Sequence, residues 1–90
     1  MTGECVIYKY QFQIADEFSI EMPFEAIILH VDVQGGVPCI WAMVDPDAEK
    51  VQRKFRIIGT GRRHESTLAF KPHIATFQMP PYVWHLFEDE

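Results

Sequence analysis

The chain has 90 residues, a length that supplies one hydrophobic core and leaves no room for a second domain. Hydrophobic residues make up 48% of the sequence and aromatic residues 13%, which predicts either an unusually dense core or rings that cover a surface shared with a second chain. The formal net charge of −5 argues against a dedicated nucleic-acid-binding protein, because such a protein presents a positive face.

The sequence shows no membrane-spanning segment, signal peptide or cysteine motif, and this bears on where the protein is located. No apolar run approaches the roughly 20 residues needed to span a bilayer, so no membrane contact is expected. The first residues do not combine a basic stretch with an apolar block, so we expect no signal peptide and a cytoplasmic location. Cys5 and Cys39 lack the spacing of a metal knuckle or a redox pair. Both are expected to be free thiols, with a disulfide between them as the alternative.

The first elements in chain order are two strands. Apolar and polar residues alternate over residues 6–14, which predicts a half-buried strand. Residues 15–17 resemble a turn, and residues 18–22 predict a short return strand that ends at Pro23. These two strands are predicted to pair as the first hairpin.

The next two strands form the clearest hairpin signal in the chain. Residues 26–33 predict a strand, and the glycines of residues 34–36 allow the positive φ of a tight turn. The return strand begins at Pro38 and is apolar on both faces over residues 39–44, so we expect it to be covered on both sides. Regular alternation places these residues on one face of the first of these strands: Ile27, Leu29, Val31 and Val33.

The second half of the chain continues with short strands. Residues 45–47 break the pattern, and residues 46–52 form either one helical turn or an open loop. Further strands are predicted at four places, with a stiff turn at residues 79–81 and a solvated acidic tail at residues 88–90. About seven short strands and at most one helical turn predict an all-β fold, as a small antiparallel sandwich or barrel formed by residues 1–90. The four later strands cover residues 53–60, 67–70, 73–78 and 82–88.

A basic segment stands out against an acidic chain. Residues 1–49 contain nine acids and one base, whereas residues 50–71 contain seven bases and one acid. Within it, residues 59–63 combine glycines, a hydroxyl and two arginines, which can surround an anion with N–H groups. The alternative is a hairpin turn with solvated arginines. The residues predicted to contact a ligand or partner are Lys54, Arg56, Thr60, Arg62 and Arg63.

Three large aromatic residues form a second candidate surface. Trp41 lies on a strand with two apolar faces, and Tyr82 and Trp84 lie on another. They cannot all point into one thin core, and interfaces favour such rings. We therefore expect a homo-oligomer that buries one of these faces, with a closed barrel that encloses the large side chains as the alternative.

Signals for catalysis are weak. The four histidines, His30, His64, His73 and His85, form no recognised metal-binding motif, so neither a metal nor a cofactor is expected. Neither serine has the surroundings of a catalytic nucleophile, and Cys39 sits in an apolar strand where a thiol is normally inert. No catalytic residue is assigned. The weaker alternative is a small metal-dependent hydrolase or nuclease that joins His64 to Asp45 or Asp47.

Distinctive stretches are spread over nearly the whole chain, at residues 8–10, 20–23, 38–48, 55–61, 75–78 and 83–88. Together they resemble a family of small uncharacterised proteins of tailed phages and prophages. That family has no assigned activity, so the resemblance implies a context and no mechanism. The absence of catalytic motifs, the surplus of aromatic residues and the basic segment 53–63 predict, in this context, a non-enzymatic and oligomeric accessory binding protein in the bacterial cytoplasm that contacts a host protein or a small anionic ligand. The alternative is a structural or assembly component of the phage particle.

Overall fold

The computed structural model describes residues 3–89 and has seven strands and one 3₁₀ helix. This confirms the predicted all-β class. Across the described residues, no helix is long and apolar enough to cross a membrane. Cys5 and Cys39 are free thiols, as expected. The strands are β1 (Val6–Gln11), β2 (Glu17–Pro23), β3 (Ile27–Gln34), β4 (Val37–Val44), β5 (Lys50–Gly59), β6 (His73–Met79) and β7 (Tyr82–Glu88), and the 3₁₀ helix is Ser66–Phe70.

The strands form two antiparallel sheets that pack face to face. One sheet has three strands in the order β1-β4-β3, and the other has four in the order β2-β5-β7-β6. Over residues 3–89 neither sheet closes into a barrel. The core lies between them, because its fully buried side chains come from both sheets. They include Ile40 and Val44 of the first sheet and Met22, Phe55 and Leu86 of the second.

The predicted first hairpin is wrong. β1 pairs with β4, and β2 pairs with β5 in the other sheet. The connection between β1 and β2 crosses from one sheet to the other. The rings of Phe12 and Phe18, at its two ends, stack with their centroids 4.9 Å apart. Alternation shows that a segment is a strand, but it does not specify which strand it joins.

The predicted hairpin around residues 34–36 is confirmed. Gln34 pairs with Val37, and Gly35 and Gly36 between them have φ values of +59° and +80°. Two consecutive residues with positive φ form the turn whose twist matches a two-residue hairpin. β4 is the central strand of its sheet, with one face fully buried in the core and the other only partly covered.

A β-bulge corrects the predicted faces of β3. Regular pairing shifts between Ile28 and His30, which leaves Leu29 as the extra residue. Ile27 therefore lies opposite Met43 on the outer face, whereas Val31 lies opposite Ile40 in the core. The inserted residue reverses the alternation on one side of it.

Two predictions for the later elements are also wrong. Residues 67–70 belong to the 3₁₀ helix, not to a strand, and its Leu68 is buried against the domain. The acidic tail is not fully solvated, because Glu88 ends β7 and its carboxylate pairs with Arg53. The backbone N–H of Asp89 donates to the carbonyl of Lys54 at 2.8 Å. Glu90 lies outside the described residues.

Candidate functional site

A cleft opens at one end of the sandwich, where β5 and β7 extend beyond the main core. Gly59 at the end of β5 pairs with Trp84 on β7, and Trp84 pairs with Phe77 on β6. Phe77 is buried in the core, so Trp84 lies on the same inner face. Tyr82, two residues before Trp84, continues that face but is 60% exposed. The inner face of β7 therefore extends past the core, and there its side chains form an aromatic surface.

Gly59 allows the cleft to form. A Cβ atom on this residue would lie 3.1 Å from Cζ3 of Trp84 and 3.3 Å from Cγ of Arg62. Both separations are tighter than ordinary van der Waals contact, so the indole and the arginine stem approach the backbone only because Gly59 has no side chain. The basic loop and the aromatic strand, which are distant in sequence, meet at this residue.

Two cavities share the wall made by Gly59, Arg62 and Trp84. The first, of about 470 Å³, adds Arg63 and also Asp16 from the connection between β1 and β2. The second, of about 520 Å³, adds Tyr82 and the turn before it. Both volumes fall in the range of small-molecule sites. One side of the wall therefore concentrates guanidinium groups, and the other side concentrates aromatic rings.

The charges around the first cavity are mixed. Arg62 and Arg63 supply two guanidinium groups, and Asp16 supplies one carboxylate. The backbone oxygen of Asp16 accepts a hydrogen bond from the N–H of Ile57 at 3.2 Å, which ties this wall to β5. The cavity thus carries a local positive excess in a protein that is acidic overall. Such a site attracts a compact anion more strongly than the chain as a whole does.

A hydrogen-bonded row of side chains fixes the base of the loop. The hydroxyl of Thr60 lies 2.7 Å from Nε2 of His85, and Nδ1 of the same ring lies 2.9 Å from the hydroxyl of Thr76. Thr76 in turn lies 3.1 Å from Nε2 of His73. This row runs from the turn after β5 across β7 to β6 on the outer face of the four-stranded sheet. The row could not be predicted from the sequence, because the alternation of apolar and polar residues does not show which strands pair and so which of these side chains become neighbours.

Comparison with known families identifies the chain. Residues 4–90 match the model of a domain of unknown function, DUF7352. The chain belongs to the DUF7352 family. No curated protein and no solved structure matches it significantly.

The DUF7352 fold brings some of the predicted contact residues together and separates others. Arg62 and Arg63 line the first cavity, and Thr60 lines the second. Lys54 and Arg56 lie on the opposite face of β5 from Ile57 and therefore point away from the cleft. Arg56 instead approaches the carboxylate of Asp89 at 4.0 Å.

The predicted aromatic surface divides in the same way. Tyr82 and Trp84 contact each other, with ring centroids 5.5 Å apart. Trp41 lies on the outer face of the three-stranded sheet, where its ring is 5.9 Å from that of His30. The two tryptophans of this DUF7352 domain therefore report on two different surfaces.

The proposed pairing of His64 with Asp45 or Asp47 does not form in this DUF7352 domain. The two aspartates precede β5 and His64 follows it, so a strand about 30 Å long separates them. Asp45 accepts a hydrogen bond from the N–H of Asp47 at 2.9 Å and caps its own turn. Among the described residues, no group of three or more His, Cys, Asp or Glu side chains is placed to hold a metal ion.

Proposed function

We propose that this chain is a non-enzymatic binding protein whose cleft takes a ligand or a protein segment with an anionic group next to a planar apolar group. The observation that carries the proposal is that Arg62, Arg63 and Trp84 line one cavity. Two adjacent guanidinium groups form charge-assisted hydrogen bonds with a phosphate or a carboxylate. A partly buried indole beside them provides apolar contact area at a low cost in side-chain entropy.

The biological context that we propose is that of a phage or prophage accessory protein acting in the cytoplasm of its bacterial host. It rests on the resemblance of the sequence to small phage proteins. In this setting the bound group belongs to a host protein or to a small anionic metabolite. Either source presents the same chemistry to the cleft, so one minimal probe tests both.

Phenyl phosphate is a suitable probe, because it joins one phosphate to one planar ring. We expect it to bind the protein in a calorimetric titration, and we expect the double variant Arg62→Ala/Arg63→Ala to lose most of that affinity. The matched control is Lys50→Ala/Lys54→Ala, which removes the same charge from exposed positions on β5. Equal loss in both variants would show a general charge effect, and the proposal of a specific cleft would be wrong.

A second candidate function, self-assembly of the chain, rests on a different surface. The outer face of the three-stranded sheet carries Ile7, Met43 and Ile27 in one row across the three strands. Ile7 is 57% exposed and Ile27 is 53% exposed. The occupant that we propose for this face is a second copy of the chain.

Charge complementarity supports this choice of occupant. Lys9 lies at the β1 edge of the same face, and Asp32 lies at the β3 edge. In a two-fold face-to-face dimer whose axis runs along β4, β1 of one copy lies over β3 of the other. The lysine of each copy then reaches the aspartate of its partner by exchanging its 2.7 Å hydrogen bond to Oε1 of Gln34 for the carboxylate. This interface serves either an oligomeric binding protein or an assembly component of a phage particle.

A further inference from the structure

We infer that the ligand of the cleft is a nucleoside monophosphate or a closely similar molecule, an inference that rests on the proposed function. Such a ligand has three parts in a fixed order: a phosphate, a hydroxylated sugar and a planar heteroaromatic base. The two cavities that meet at the Gly59 wall offer a matching order of surfaces.

The aromatic side of the wall fits a base. The rings of Tyr82 and Trp84 already contact each other at 5.5 Å and an angle of 34°. A planar group therefore cannot insert between them and must lie against their exposed faces, as bases do on aromatic side chains. The 520 Å³ cavity that both rings line provides the space for it.

The basic side of the wall fits a single phosphate. Arg62 belongs to both cavities, whereas Arg63 belongs only to the first. A phosphate bound by both guanidinium groups thus lies in the first cavity, and the rest of the ligand extends past Arg62 toward the rings. The Trp84 ring and the Arg62 stem lie close against Gly59, so both cavities border the same two side chains and a ligand can contact them from either side.

The carboxylate of Asp16 selects against larger anions. Asp16 lines the same cavity as the two arginines, and a carboxylate accepts hydrogen bonds from hydroxyl groups, such as those of a ribose. It also repels additional phosphates, and the net charge of −5 opposes a nucleic-acid polymer. The site therefore fits a mononucleotide better than a triphosphate or a nucleic-acid strand.

The test is a calorimetric titration of the full chain with the four ribonucleoside 5′-monophosphates, in parallel with phenyl phosphate and a 12-nucleotide single strand (a length of about 12 suffices to span a binding groove). We expect at least one monophosphate to bind about tenfold more tightly than phenyl phosphate, because the sugar and the second ring add contacts. Arg63→Ala is expected to weaken the binding of that monophosphate but to leave the binding of the corresponding nucleoside unchanged. Tyr82→Ala, at an exposed position, is expected to weaken both.

The outcomes separate this inference from the proposed function. If phenyl phosphate binds and no monophosphate binds more tightly, the ligand class is wrong while the anionic–aromatic cleft stands. Tighter binding of the single strand than of every monophosphate also overturns the inference. If neither phenyl phosphate nor any nucleotide binds the folded protein, both the inference and the proposed small-ligand site are wrong.

Discussion

Arg53 and Glu88 form an ion pair that ties the end of β7 to β5, with Nη2 of the arginine donating to Oε1 of the carboxylate at 2.8 Å. Both side chains are largely covered, at 17% and 13% exposure, and the arginine also donates to the carbonyl of Ala26. This arrangement joins β5, the end of β7 and the turn before β3. The pair is thus a structural feature of the sandwich, remote from the cleft.

Glu88→Ala is expected to destabilise the domain substantially. The substitution removes the partner of a partly buried guanidinium group, which costs about 2–3 kcal/mol in the free energy of unfolding. Urea denaturation monitored by circular dichroism measures it. The control Glu49→Ala removes an exposed carboxylate and is expected to change stability by less than about 0.5 kcal/mol. Similar losses in the two variants would contradict the structural role of the pair.

Gly59→Ala is expected to alter the cleft more than the fold. The new methyl group would lie 3.1 Å from Cζ3 of Trp84, so the indole must tilt or shift. Because Trp84 is only partly buried, we expect a loss of about 1 kcal/mol in stability and a clear weakening of phenyl phosphate binding. Calorimetry and urea denaturation of the same preparation separate the two effects. Unchanged binding would show that this wall does not contact the ligand.

Tyr10 makes the stability of the domain sensitive to high pH. Burial raises the pKa of its hydroxyl above the ordinary value of 10.0, and the neighbouring Tyr8 raises it further. The folded state therefore retains the proton when the unfolded state loses it. The stability that this difference provides is fully present below pH 10.0 and is lost as the pH rises through the pKa of the folded state.

Tyr10→Phe tests this dependence, because phenylalanine keeps the ring and cannot ionise. We expect the free energy of unfolding to fall less steeply above pH 10.0 in the variant than in the wild type. Urea titrations at a series of alkaline pH values provide the comparison. Identical slopes in the two proteins would mean that Tyr10 does not contribute.

The proposed self-association is tested by placing charge in the apolar row. Ile27→Lys is expected to convert the proposed dimer to a monomer, since the interface would bury an unpaired charge. Phe70→Lys is the matched control, because Phe70 is 88% exposed on the 3₁₀ helix and lies outside the row. Sedimentation velocity distinguishes the monomer of 10.5 kDa from a dimer. A monomeric wild-type protein would contradict the proposed dimer.

The sequence was sufficient to identify most strands because their signals are local. The pair Gly35 and Gly36 specified a hairpin, and the apolar residues of β4 predicted a strand covered on both sides, of which the structure covers the outer face only partly. The bulge at Leu29 was not predictable, because nothing in the apolar residues of β3 marks one of them as the extra residue. That residue nevertheless reverses which side chains of β3 face the core. The partners of β1 and β2 were hidden for a related reason. Strand pairing depends on contacts between residues far apart in the chain.

The candidate site shows the same division. The arginines at residues 62 and 63 were recognisable from their glycine-rich surroundings, and the rings of Tyr82 and Trp84 from their excess over a small core. That these two features meet at Gly59 depends on the pairing of β5 with β7. Alternation along β5 places Arg56 on the opposite face, and the fold brings Asp89 beside it there. Only the tertiary structure therefore distinguishes the cleft from the rest of the basic segment.

The two tryptophans provide the most direct test of the central claim, that the cleft is the binding surface. Each indole N–H gives its own signal in a proton–nitrogen correlation spectrum, and Trp41→Phe assigns them. During titration with phenyl phosphate, we expect the signal of Trp84 to move progressively while that of Trp41 stays in place. A shift of Trp41 alone, or no shift of either signal at saturating probe, would contradict the account.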